Sequence, residues 1–370
     1  MDIYANSVVP AKAGTQSLVI RRSVNRSPSK NFRITKDWGE SMLSRLRRND
    51  GIPTITIRII MKIAIIGQQD FGKSVLDAFL ARGDEIAGVF CAPEKAGARP
   101  DVLRVAAQEK GLKVFQFPSL KDPEACNTMK ALDVDIGIMA FVLQFAPQEF
   151  VNIPKHGTIQ YHPSLLPKFR GPSSINWPLI KGEAKTGLTI FRPNDGLDEG
   201  KVVLQKETPV TDNDTLGTVY FDRLFPMGVA AMLEAADLVV AGKHSEIVQD
   251  ESQASYEGWC RAAEAKVNWN NHVDYIHNLI RGCDPAPGAW TTLAGKKVQL
   301  FGSQKHVART FAGVKGRPGE ISAVTATSLL ITAQGGQVEI AKLKHEDGKK
   351  ISASEFIAAH GLVIGAAFGT

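Results

Sequence analysis

The sequence predicts an α/β protein whose strands form a mostly parallel sheet with helices on both faces, followed by a small β-barrel. Three observations predict it. From Met61 onward, apolar runs of strand length alternate with segments of helical periodicity. A strand, Lys62-Ile63-Ala64-Ile65-Ile66, opens this stretch directly after a methionine. After residue 282 the periodicity changes to short strand-like segments separated by glycine and polar turns.

The elements follow in order. The first strand turns at Gly67, and Lys73 to Arg82 has helical spacing. Glu85 to Phe90 is a second strand. Asp101 to Lys110 is a helix stopped by Gly111, because glycine takes the left-handed conformation that ends a helix. Val114 to Gln116 and Asp135 to Met139 are further strands, and Gly157 to Tyr161 is another that delivers His162 at its end. Leu188 to Phe191 and Val202 to Lys206 have the pattern of an antiparallel extension, and Thr215 to Ala241 is one long helical stretch. Together they describe a Rossmann-like domain over residues 61–241. Residues 242–265 are polar and predict a linker. Residues 266–370 open with a helix, Asn271 to Arg281. Strands at Ala289–Thr292, Lys297–Phe301, Gly319–Val324, Ser328–Thr332 and Gln337–Leu343 come next, as in an OB-like barrel.

Composition bounds the rest. The chain has 370 residues, 44% hydrophobic and 22% charged, which suits a two-domain globular protein. No apolar run is long enough to span a bilayer and the start lacks a secretory apolar segment, so a cytoplasmic protein without membrane partners is expected. Cys91, Cys126, Cys260 and Cys283 are scattered without CxxC spacing, which suggests neither a metal site nor a redox motif, only reduced thiols. The net charge of +6 is uneven. Residues 1–60 carry 11 Lys/Arg against 4 Asp/Glu, and residues 266–370 carry 12 against 7. DNA is not an expected partner, and the basic C-terminal part leaves only a weak case for RNA. Residues 1–60 have no sustained periodicity. A disordered tail, an extension ahead of a true start at Met61, and a transit peptide all remain open for them.

Gly67-Gln68-Gln69-Asp70-Phe71-Gly72-Lys73-Ser74 fits the GxxxxGK[ST] pattern of a phosphate-binding loop. The chemistry argues against it. Asp70 would put a carboxylate beside phosphate, Phe71 is bulky for a close wrap, and no later strand ends in a carboxylate suited to Mg²⁺. A tight strand-to-helix turn explains the two glycines.

The informative segment is Gln160-Tyr161-His162-Pro163-Ser164-Leu165-Leu166-Pro167-Lys168-Phe169-Arg170-Gly171. A histidine where a strand leaves a parallel sheet lies at the carboxyl edge, where ligands bind, and two prolines stiffen the exit. Asn194-Asp195-Gly196-Leu197-Asp198-Glu199-Gly200 is an acidic, glycine-punctuated loop between two strands. Each alone is more simply a capped strand end or a solvated turn. Together they resemble the folate-dependent formyltransferase superfamily. Its hydrolase branch, the N-terminal domain of 10-formyltetrahydrofolate dehydrogenase, is the nearest match, and methionyl-tRNA formyltransferase is also similar. The same resemblance continues in YHPSLLPKFRGPSSINW (161–177), VLQKE (203–207), KVNW (266–269), IHNLIRGCDPAPGAW (276–290) and EDGKKISAS (346–354).

The resemblance implies an enzyme that takes 10-formyltetrahydrofolate as formyl donor, with no metal and no NAD(P). It assigns His162 and Asp198 as the catalytic pair and lays the pteridine against Gln144, Phe145 and Ala146. Attack on the formyl carbon creates an oxyanion that a His N–H can stabilise, while Asp198 orients the histidine and takes a proton. The transferases carry Asn-x-His where this chain has Gln160-Tyr161-His162. Gln160 keeps an amide donor with one more methylene, so it is expected to assist at the oxyanion. The expected acceptor is water, giving formate and tetrahydrofolate. An amine on methionyl-tRNA is the alternative, and a small amine comes after it. The loop Cys91 to Asp101 offers only Lys95 and Arg99, few cations for an RNA backbone.

Overall fold

The computed structural model describes residues 17–22, 31–34, 55–308 and 316–370. The expectations for residues 1–60 lie mostly outside the described residues. Within that stretch β1 (Ser17–Arg22), β2 (Asn31–Ile34) and β3 (Ile55–Ile60) pair antiparallel in the order β2-β1-β3. The chain divides into two compact units. One comprises residues up to Phe145 together with Glu149–Thr158, and the other Ala146–Gln148 with Ile159–Thr370.

The first unit is built on parallel strands. β4 (Lys62–Gly67) pairs with β5 (Glu85–Phe90) and with β7 (Ile136–Ala140), and β5 pairs with β6 (Val114–Phe115). Every residue of β7 is buried, as a strand covered on both faces requires. The helices α1 (Gln69–Arg82), α2 (Val102–Glu109) and α3 (Pro123–Leu132) connect them. α3 carries signals that the periodicity reading passed over. Asp122 caps it by accepting the Glu124 N–H, Pro123 opens it, and Ala125, Cys126, Met129 and Leu132 form its buried stripe.

α1 starts four residues earlier than its apolar spacing predicts, because its cap comes from elsewhere in the chain. Both carboxylate oxygens of Asp101 accept the Gln69 N–H, at 3.2 and 2.9 Å. The helix therefore begins at once after Gln68 and leaves no loop to wrap a phosphate. Lys73 is instead paired with Asp77 one turn on, at 2.8 Å. Gly67 is needed for close approach rather than for a turn: a Cβ there would lie 2.0 Å from the Ala140 carbonyl oxygen.

α4 (Gln148–Val151) belongs to the first unit except for Gln148, and the second unit holds β8 (Thr158–His162) from Ile159 on, α5 (Asn176–Ile180), β9 (Lys185–Phe191) and β10 (Val202–Pro209). β9 runs antiparallel to both β8 and β10, as the sequence predicts for β10. The stretch 215–241 is not one helix. It is α6 (Leu216–Val219), a π-helical turn over Tyr220–Leu224, and α7 (Phe225–Val240). Pro226 explains the break. It has no N–H for an ordinary helical bond, and the Phe225 N–H reaches back to the Tyr220 carbonyl.

The C-terminal part holds α8 (Val273–Gly282), β11 (Ala289–Leu293), β12 (Lys296–Val307), β13 (Ile321–Val324), β14 (Leu329–Ala333), β15 (Gly336–His345), β16 (Ile351–Ser352) and α9 (Ala353–His360). Its strands form an antiparallel sheet in the order β11-β12-β15-β14-β13, with β16 on β15. Ile276 and Ile280 of α8 pack with Val298, Leu300, Ile331, Ile340 and Phe356 in a common core. α9 begins with a capping box between Ser352 and Glu355.

Residues 242–265 are bound along their length. Ile247 exchanges two backbone hydrogen bonds with Val202, and Ser255 and Glu257 bond to either side of Arg170. The polar composition here belongs to a segment held against Arg170, Val202 and Asp198.

Candidate active site

His162 is the last residue of β8, and residues two apart on a strand share a face, so Gln160 lies on the same face. The exit from the strand is held by short hydrogen bonds. Thr189 Oγ1 donates to the Ser164 carbonyl and accepts the Leu166 N–H, and Ser164 Oγ donates to the Lys168 carbonyl. The turn ends with Phe169 at φ +59°, which aims its carbonyl back at the histidine. His162 Nε2 lies 2.9 Å from that oxygen. A carbonyl can only accept, so Nε2 carries the proton and Nδ1 is turned toward Asp198.

Asp198 Oδ2 lies 3.5 Å from His162 Nδ1 and accepts the Gly171 N–H at 2.9 Å. Both side chains are buried, with His162 5% and Asp198 7% exposed. Burial weakens water's competition and strengthens their mutual field. The second carboxylate oxygen, Oδ1, has no partner among the described residues, and neither has the Gln160 amide. The site thus presents an uncommitted acceptor and an uncommitted donor beside a buried His–Asp pair.

Asp198 sits at φ +59°, a left-handed position that aspartate tolerates better than most residues. Gln249 holds it there. Its amide donates to the Asp198 carbonyl at 2.8 Å and to the Gly200 carbonyl at 2.7 Å. Its oxygen accepts from Arg170, which also makes a two-point ion pair with Glu251. The carboxylate of Glu251 raises the Arg170 guanidinium above its ordinary range. A backbone bridge sets Tyr256 beside Arg170, and burial, then the charges of Asp198 and Glu199, push its phenol up. Gln249, Arg170 and Tyr256 were not among the sequence-predicted site residues. Nothing in the polar stretch around Gln249 marks it, because its role depends on chain return.

The loop after β7 is described within the first unit. Phe141, Leu143 and Phe145 are exposed there, an apolar set at a strand's carboxyl end. The Gln144 amide donates to the Phe117 and Pro118 carbonyls, at 2.8 and 3.1 Å, so its side chain braces the loop. Lys121 stands over the Phe145 ring. Ala146, in the second unit, is buried. Among the described residues no three His, Cys, Asp or Glu groups converge as a metal site, and no helix is long and apolar enough to cross a membrane.

A buried His–Asp pair and an unpaired amide thus share the end of one strand in an α/β fold. The comparisons name the group. The formyl transferase family matches residues 61–236, and the C-terminal domain of formyl transferases matches residues 260–361. Cytosolic 10-formyltetrahydrofolate dehydrogenase of Xenopus tropicalis is 40% identical over 308 residues, covering 80% of this chain and 34% of that protein. The chain thus spans about a third of the length of such relatives. Methionyl-tRNA formyltransferase of Syntrophus aciditrophicus is 33% identical over 314 residues, covering 84% of this chain and 99% of that one. An N-formyltransferase from Helicobacter canadensis, solved with folinic acid and dTDP-3-aminofucose, shares the fold at a TM-score of 0.59 and 18% identity, over 76% of this chain and 99% of that chain. The chain belongs to the formyl transferase family and is an enzyme of that family.

Proposed function

We propose that the chain binds 10-formyltetrahydrofolate and passes its formyl group to water, releasing formate and tetrahydrofolate. The observation that carries this is the buried His162–Asp198 pair with an unspent carboxylate oxygen and the unspent Gln160 amide on the same strand face. Asp198 Oδ1 accepts a proton from the attacking water as the new C–O bond forms. The formyl oxygen becomes an oxyanion. The His162 Nε2 proton is committed to the Phe169 carbonyl, so the Gln160 amide is the donor left for that oxyanion. The proton then passes from Asp198 to N10 as the C–N10 bond breaks and the oxyanion collapses to a carbonyl, and the formic acid released ionises to formate. The pteridine is assigned to Gln144, Phe145 and Ala146, with the exposed Phe141 and Leu143 supplying apolar surface in that loop.

A second reading gives the formyl group to an amine on methionyl-tRNA. It is favoured by the methionyl-tRNA formyltransferase relative, which this chain matches over nearly that protein's whole length. The sparse cations of the loop 91–101 argue for water instead. A cytoplasmic location is part of the same proposal, in keeping with the cytosolic relative.

The test is to incubate the protein with 10-formyltetrahydrofolate alone and follow tetrahydrofolate release, then to add charged initiator tRNA. Release without any amine supports hydrolysis. Release that waits for the tRNA, with formylated methionine as product, replaces the first reading by the second.

A further inference from the structure

The four cysteines are scattered in the sequence, yet the fold sets two of them side by side. Cys260 Sγ and Cys283 Sγ lie 3.8 Å apart in the second unit. Both thiols are buried, Cys283 completely and Cys260 with 7% exposure. Each is anchored from a different direction. Cys283 ends α8, its N–H bonding to the Leu279 and Ile280 carbonyls. The Cys260 N–H donates to Ser173 Oγ at 2.9 Å, and the preceding residues Ser255 and Glu257 bond to the backbone of Arg170.

We propose that Cys260 and Cys283 form a peroxide-reactive dithiol that closes to a disulfide. Two features set this pair apart from the other thiols. The first is separation, since the sulfurs need close only from 3.8 Å to about 2.05 Å, within reach of side-chain rotation. The second is an asymmetry of proton affinity. The hydrogen bond between the two thiols, in which either can donate, raises Cys283 together with burial and, against the cost of burial, lowers Cys260. Cys91, by contrast, is pushed up to about 12 by burial.

The order of steps follows. Of the two, Cys260 keeps the remaining exposure, 7% against none for Cys283, and is the one that a molecule as small as hydrogen peroxide reaches first. Its thiolate attacks one peroxide oxygen, the O–O bond breaks, and a sulfenic acid and hydroxide form. Cys283 then attacks the sulfenic sulfur, and its proton and the departing hydroxide leave as water. Two thiols are oxidised, one peroxide is reduced to two waters, and a disulfide closes a loop between residues 23 apart. That loop includes α8 and ties the segment bordering the His162–Asp198 site to the C-terminal core. Cross-linking the unfolded chain at this spacing raises the temperature of unfolding.

The experiment treats the full-length reduced protein with hydrogen peroxide and maps the thiols by mass spectrometry after alkylation in denaturant. The expected result is a peptide pair linked through Cys260 and Cys283, with Cys91 and Cys126 still alkylated. The unfolding midpoint should rise and return on reduction with dithiothreitol. Cys283→Ala should leave a sulfenic acid on Cys260 that dimedone traps, and Cys260→Ala should leave Cys283 reduced. A disulfide involving Cys91 or Cys126, a sulfinic acid on Cys260 without the cross-link, or no reaction at Cys260 would each overturn the proposal. Oxidation of Cys283 in Cys260→Ala at the wild-type rate would overturn the order of attack.

Discussion

Asp198→Asn is the substitution that isolates the charge of the proposed catalytic pair. Alanine would do more than remove a carboxylate. It would leave the buried Gly171 N–H unpaired, costing about 1–3 kcal/mol. It would also hold a residue less tolerant of the left-handed region at φ +59°, costing about 1–2 kcal/mol more. Asparagine keeps both features. With its oxygen in the Oδ2 position it still accepts from Gly171, and it is at ease with positive φ. What it loses is the ability to take a proton. Removing a general base lowers turnover by on the order of 10²–10⁴-fold. At about 1.36 kcal/mol per decade, that is a barrier increase of roughly 2.7–5.5 kcal/mol. The assay is tetrahydrofolate release under single-turnover conditions. Calorimetry with a non-hydrolysable formyl-folate analogue and the unfolding midpoint serve as controls. Binding and unfolding should stay near wild type while turnover falls. Near-normal turnover in Asp198→Asn would require another base, and the proposed mechanism would be abandoned.

Three further outcomes are expected. Gln160→Leu should cost about 2.7–4 kcal/mol in transition-state stabilisation, comparable to loss of one oxyanion donor; a change below threefold in turnover would return that role to His162. Gln249→Leu removes both hydrogen bonds that hold the Asp198 loop and strips Arg170 of an acceptor, so it should destabilise the fold by about 3 kcal/mol and lower turnover with it. Unchanged urea midpoints would show that the loop holds without it. The third outcome concerns pH. Burial, reinforced by Arg281 and Lys305 and opposed by Asp212, lowers the pKa of His277 to about 4. The unfolded chain, with an ordinary histidine near 6.5, binds the proton first as pH falls, so stability declines from about pH 6.5 down to about pH 4. The loss from this group is about 1.4 kcal/mol at about pH 5.5 and about 3 kcal/mol at about pH 4. Urea titrations of the wild type and His277→Gln at several pH values should differ in slope by one proton in that window, and parallel slopes would contradict the assignment.

The strand and helix pattern from Met61 was legible in the sequence because a buried parallel strand must be apolar throughout and a helix must repeat near every 3.6 residues. The antiparallel pairing of β9 and β10 and the sheet of the C-terminal part were legible for the same reason. Boundaries failed where a distant residue supplied the cap. Asp101 starts α1 from 32 positions away, and no local signal at Gln69 announces it. The π-helical turn before Pro226 was legible in principle, since proline always removes a helical N–H, but the apolar spacing on either side masks it.

At the site, the residue types of His162, Asp198 and Gln160 and the family they resemble were set by the sequence alone, because strand-end histidine and a glycine-punctuated acidic loop are local patterns. Their working arrangement was decided by tertiary structure. Which imidazole nitrogen carries the proton depends on the Phe169 carbonyl, and which carboxylate oxygen is free depends on the Gly171 N–H. The left-handed pose of Asp198 depends on Gln249, 51 residues away. The nearness of Cys260 and Cys283 likewise appears only once α8 has packed. A sequence records which groups are present, whereas hydrogen bonds between distant segments decide which lone pairs and protons remain for chemistry.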